Sequence, residues 1–203
     1  MILHLVGNSR TNDDEAGRQD CPKSEELDCH PPGDPSRAVA LYKLANSLDD
    51  RFVEIDDIAN LEEAITLHQS ALDLRPPGHS DRWDSLHVLA LCFSRWYEKQ
   101  DTVADLEEAI TLGGAALELC SPGHSGRAST LYNLANDLRN RFLKLGANDD
   151  PDEAILLHRS ALDLRPPGHS DRSDSLHILA LCFSDRYNKQ GTVADLEEAI
   201  TLG

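Results

Sequence analysis

Pro32-Gly33, Pro77-Gly78, Pro122-Gly123 and Pro167-Gly168 stand at a constant interval of 45 residues. A fixed period between about 20 and 50 residues marks a stacked repeat architecture, in which each unit packs only on its neighbours. The repetition reaches beyond the turns: His68–Gly113 and His158–Gly203, each 46 residues long, differ at seven positions. A two-repeat unit of 90 residues is therefore duplicated within the chain. Such near-identity predicts swapped or slipped pairing between the halves, with dimers as its product.

Each repeat contains two helical patterns. In the first, helix A, Leu41, Leu44, Ala45, Leu48 and Phe52 fall on one face, and the later copies keep the series, as in Leu131, Leu134, Ala135, Leu138 and Phe142. The second, helix B, places Ala64, Ile65, Ala71 and Leu72 on its apolar side. Asn60, Asp105, Asp150 and Asp195 are each followed three residues on by Glu, which predicts a capping box at the start of helix B. Arg75-Pro76-Pro77-Gly78 ends it, because proline cannot continue the hydrogen-bond ladder. Ser80, Ser125 and Ser170 are the expected caps of the next helix A. Arg37, Arg82, Arg127 and Arg172 place a cation in a first helical turn, against the dipole. An ion pair with Asp73, Glu118 or Asp163, or a carbonyl contact to the preceding turn, explains them; a row of anion-binding arginines is the alternative.

The formal charge of -17 divides unevenly. Residues 1–35 hold eight acids and three bases, and with their Asp, Glu, Ser, Gly and Pro they read as a disordered acidic lead-in in which Cys29 and His30 are bystanders. In residues 36–203 much of the acid sits at helix starts, where the dipole favours it. The balance argues against nucleic acid and against anionic membrane, both of which reward clustered Lys and Arg. Five cysteines without metal-ligand spacing point to a reducing compartment, and the short apolar start, Met1–Val6, suits neither a signal peptide nor a membrane span. A cytoplasmic protein without metal or cofactor is expected.

Two antiparallel helices per repeat, Leu44-Ala45 at a helix crossing, Ala64 and Ala71 seven apart and a closing Pro76 resemble the tetratricopeptide (TPR) repeat. The resemblance implies an all-α, right-handed superhelical solenoid of antiparallel helix pairs. Its four units are residues 36–80, 81–125, 126–170 and an incomplete 171–203. His68 stands where that family usually has Phe, as does Gly113. The period exceeds the usual 34 residues by eleven, which the resemblance assigns to the connections, about seven between the helices and four at the inter-repeat turn. The Pro-Pro-Gly-His-Ser-Asp-Arg run is similar to long fungal repeats of this type, whose arrays often precede a caspase-like peptidase (CHAT) domain.

The family lays its ligand along the inner face of the A helices. Carried over by position, that face implies partner-binding roles for Tyr42, Asn46, His87, Tyr132, Asn136, Arg139 and His177, all of them also readable as flanks of packed helices. The expected function is a scaffold that binds a protein or peptide. The alternatives are a sensing arm of a larger effector, such as a CHAT-type peptidase or a signalling NTPase, or a duplication product without an independent role. Cys92 and Cys182, each five residues after His87 or His177, could pair as nucleophile and base. They recur with the repeat, however, whereas an active site is built once, so packing is the expected role and no enzyme is expected. In the last repeat Leu176, Leu179, Phe183 and Ile200 lack an evident cover, and self-association there is a further expectation.

Overall fold

The computed structural model describes residues 27, 29–146 and 149–202, so nearly all of the expected lead-in lies outside the described residues. Among the described residues eight helices follow in order: α1 (Arg37–Ile55), α2 (Ile58–Asp73), α3 (Arg82–Gln100), α4 (Val103–Leu119), α5 (Arg127–Leu145), α6 (Asp150–Asp163), α7 (Arg172–Gln190) and α8 (Val193–Leu202). No strand occurs among them. Each odd helix packs on the even helix after it, and each even helix on the next odd one, which makes a solenoid of four hairpins. Consecutive A helices α3 and α5, and α5 and α7, also touch directly.

The Pro-Gly steps work as turns. Gly33, Gly78, Gly123 and Gly168 have φ of 97°, 92°, 90° and 93°, which glycine adopts without a side-chain penalty. His79 N–H donates to Pro76 C=O at 3.0 Å, closing a type II turn over Pro77-Gly78, and the same bond recurs at His124 and His169. The recurring turn histidines cap the next residues in turn. Nδ1 of His79, His124 and His169 accepts the N–H two residues on at 3.1 Å. The four first-turn arginines hold the same junction through carbonyls: Arg82 Nη1 donates to Arg75 C=O and Arg172 Nη1 to Arg165 C=O, both at 2.5 Å. Arg37 and Arg127 do the same to His30 and Cys120. The carbonyl contact expected of these arginines is thus present at all four positions.

Three local expectations need correction. The eleven additional residues do not lengthen the link between A and B: helix A itself runs 19 residues, and only Asp56-Asp57 or Asp101-Thr102 separates it from helix B. A left-handed residue (Asp56, Asp101, Gly146 or Gly191) ends each A helix by donating its N–H back to Phe52, Tyr97, Phe142 or Tyr187. That reversal is tight enough to need no long loop. Secondly, Asn60, Asp105, Asp150 and Asp195 lie inside helix B; the cap positions are Asp57, Thr102 and Asp149, of which only Asp57 accepts a first-turn N–H. Asp150 and Asp195 are instead buried against arginine: Arg141 donates to Asp150 at 2.8 and 2.7 Å, and Arg186 to Asp195 at 2.8 and 2.5 Å. Thirdly, the caps of helix A are Ser36, Asp81, Gly126 and Asp171, not Ser80, Ser125 and Ser170. Ser80 and Ser170 turn to the neighbouring Asp carboxylates.

The core runs along the junctions. Phe52 and Leu61 of the first repeat meet Cys92 and Trp96 of the second, Ile110 and Leu117 pack under Leu134 and Leu138, and Ile155 lies against Leu179 and Phe183. Ala45, Ala64, Ala109, Ala135 and Ala154 are fully buried, where a larger side chain would hold the helices apart. Leu179 and Phe183, expected to lack cover, are buried, because they face repeat three rather than the open side. Ile200 is 72% exposed. At the second turn Trp83 lies where a Cβ on Gly126 would come within 2.1 Å of its Cζ2 and Cη2. Gly126→Ala should therefore destabilise by ~1–3 kcal/mol through overpacking. Trp83→Ser, the residue of the fourth repeat, should restore most of it in urea unfolding; a neutral Gly126→Ala would show that the indole is not seated there.

Candidate interaction groove

Two of the expected contact residues sit in matching aromatic clasps. Tyr42 of α1 meets the edge of His68 of α2 (ring centroids 5.4 Å apart, 67°), and Tyr132 of α5 meets His158 of α6 (5.4 Å, 75°). A guanidinium from the turn covers each tyrosine, Arg75 at 4.7 Å and Arg165 at 4.8 Å from the ring centre. Those two arginines are themselves buried and held by hydroxyls, Arg75 by Ser85 and Arg165 by Ser175, both at 2.6 Å. Reading the sequence treated Arg75 only as the end of a helix. The available signal was its alternation: Arg75 and Arg165 stand in the repeats with Tyr42 and Tyr132, and Cys120 takes the place in the repeat with His87.

Electrostatics follow from burial. His68 and His158 are fully buried with both ring nitrogens unpartnered, and desolvation pushes each down to about 4. Burial, and then the Asp84 carboxylate, raises the Tyr42 hydroxyl. Asp137 is buried in α5, receives Ser94 Oγ at 2.9 Å, and is pushed up to about 7 chiefly by desolvation. Cys92 and Cys182 are buried and pushed up to about 12, the opposite of what a thiolate nucleophile needs.

The A-helix face opens between repeats two and three and reaches the start of repeat four. A cavity of about 390 Å³ is lined by His87, Leu91, Tyr132, Asn133, Asp174 and the turn residues Arg165 and Asp171. A second, of about 200 Å³, continues it past Leu91 and Asn133 to Ser94, Asn136 and Asp137. His87 stacks on Trp83 (5.3 Å, 12°) and its Nδ1 lies 3.3 Å from Thr130 Oγ1. The structure thus brings His87, Tyr132 and Asn136 to one continuous groove. Tyr42 and Asn46 belong to the first repeat and His177 to the fourth, where it is exposed. Arg139 points along the array: its Nε donates to Asp185 at 2.6 Å.

No family model and no curated protein matches the chain. Solved structures do. A Podosopora anserina protein described as a kinesin light chain with nearly identical TPR-like repeats superposes with a TM-score of 0.55 at 19% identity, over 83% of this chain and 75% of that one. A single-substitution variant of that protein gives 0.56 with the same identity and coverage. BtubC (BKLC) from P. vanneervenii gives 0.51 at 19% identity, over 83% of this chain and 64% of its own. The eight described helices, in antiparallel pairs stacked on the plan of these structures, make the chain an all-α solenoid with the TPR-like fold.

Proposed function

We propose that the chain is a protein-interaction scaffold that holds a peptide or a partner protein along its A-helix face, in the groove between repeats two and three. The observation that carries this reading is the continuity of the two cavities through Leu91 and Asn133. An apolar step between amide, imidazole and phenol groups suits an extended or helical segment better than a compact cofactor. Asn133, Asn136 and Tyr132 line this groove with amide and phenol groups. A cytoplasmic setting fits Cys29, Cys92, Cys120 and Cys182, all free thiols.

Leu91→Glu combined with Asn136→Ala tests the site, because neither residue is fully buried. A partner identified with the wild type should bind the variant at least about tenfold more weakly by calorimetry, while helicity and thermal midpoint stay the same. Unchanged affinity would move the contact to another surface.

A further inference from the structure

Repeats two and four are near-identical, yet they carry opposite charges at the contact each makes with the repeat before it. Asp49 of α1 pairs with Arg95 of α3, and Arg139 of α5 pairs with Asp185 of α7, with Nε to Oδ2 at 2.6 Å in the second pair. Asp49 and Arg139 occupy the same repeat position, as do Arg95 and Asp185. Each pair joins one A helix to the next, and all four side chains are at most 32% exposed. The polarity is reversed between halves and the reversal is compensated, so both native junctions are attractive. At the middle junction the same two positions are the uncharged Ser94 and Asn140.

We infer that this reversal is a pairing key, which seats each of the near-identical repeats two and four, of this chain and of a second copy, on its own neighbour. If repeat four took the seat of repeat two, Asp185 would face Asp49. If repeat two were seated on repeat three, Arg95 would face Arg139. Like charges held at these positions oppose association where the native arrangement favours it. The other inter-repeat pairs bring no like charges together: Lys99 would exchange Asp56 for Gly146 and Glu198 would exchange Arg159 for Gln69, each losing a partner without a clash. In the first of those misassemblies Arg186 would exchange Asp152 for Glu62, another acid at the same position, and keep a partner. A steric device acts at the intervening junction, where Trp83 needs Gly126 while Ser36, Asp81 and Asp171 fill that place elsewhere. Of the seven differences between the 46-residue stretches, six (Gln69/Arg159, Trp83/Ser173, Val88/Ile178, Arg95/Asp185, Trp96/Arg186 and Asp101/Gly191) include a side chain that meets a neighbouring repeat. The differences between repeats two and four thus reach the surfaces by which each meets its neighbours.

The test removes the key without removing either native pair. In the double variant Arg139→Asp with Asp185→Arg the second junction stays attractive but takes the polarity of the first. Wild type and variant are unfolded, refolded over a range of protein concentrations, and scored for the misassembled fraction. Dimers are read by light scattering on a sizing column, and non-native monomers by loss of the cooperative thermal transition. The key predicts a native monomer that melts as the wild type does, with a misassembled fraction about tenfold higher. The mirror variant Asp49→Arg with Arg95→Asp should behave alike, and decides the matter if the first does not fold. Equal misassembly in wild type and variant at every concentration would overturn the inference.

Discussion

Acidification from pH 7 to 4 should weaken the fold by several kcal/mol more in the wild type than in His68→Phe/His158→Phe. Each of these imidazoles is buried against a tyrosine, has no hydrogen-bond partner, and titrates in the folded state at about 4 against an ordinary 6.5. Desolvation is the main cause in both. Nearby Asp49 and Asp84 partly offset it at His68, whereas Arg139 and Arg165 add to it at His158. With the folded value below the unfolded one, the unfolded chain binds more protons between about pH 6.5 and 4, so stability is complete above 6.5 and is lost as pH falls through that window. Each site contributes about 2–3 kcal/mol at the acid end. Asp137 acts the other way: raised to about 7, it is protonated more readily when folded, so its effect is to lower stability as pH rises from about 4 to 7. Two histidines outweigh one carboxylate, and the net slope below pH 6.5 is positive. Phenylalanine has a ring without a titrating group, so the double variant should show a flatter profile of urea midpoint against pH, whatever its stability at pH 7. Parallel profiles would mean that the imidazoles reach water in the native state.

Leu134→Ala should cost ~2–5 kcal/mol, toward the upper end. The leucine is 6% exposed, packs with Ala135, Leu138 and Ala154, and leans over the preceding repeat against Ile110 and Leu117. Its Cδ1 lies 3.4 Å from the place a Cβ on Gly113 would occupy, so the glycine leaves no side chain to collapse into the vacancy. Leu44 is the same repeat position in the first unit and is only half-buried. Leu44→Ala should therefore cost less by ~1–2 kcal/mol, since a smaller apolar area returns to water. Urea unfolding of the two variants measures the difference. A loss at Leu134 no larger than at Leu44 would contradict its place at a repeat interface.

The A-helix face was legible because Leu41, Ala45, Leu48 and Phe52 recur with the helical period, and burial on one side is what that period encodes. The arginine clamps were legible for a similar reason: a cation against the dipole in every repeat demands a local partner, and the preceding turn supplies carbonyls. The start of helix B was misread, because Asp with Glu three residues on is also the pattern of a buried acid inside the helix. What distinguishes the two is the partner, and Arg141 lies nine residues upstream on the other helix of its hairpin. The buried Arg75 and Arg165 were missed because a cation next to Pro-Pro reads as a solvent-facing end. Only the stack of Tyr42 or Tyr132 over the turn makes it an interior residue.

By itself, then, the sequence determined the repeat count, the pairing of helices and the face each buries, since period, proline punctuation and small crossing residues are local properties carried along one chain. Tertiary structure decided how the repeats meet: that Arg139 reaches Asp185, and that His87, Tyr132 and Asn136 border one groove. Those outcomes depend on side chains about 45 residues apart coming within a few ångströms, and contact across a junction is set by packing that no single repeat contains.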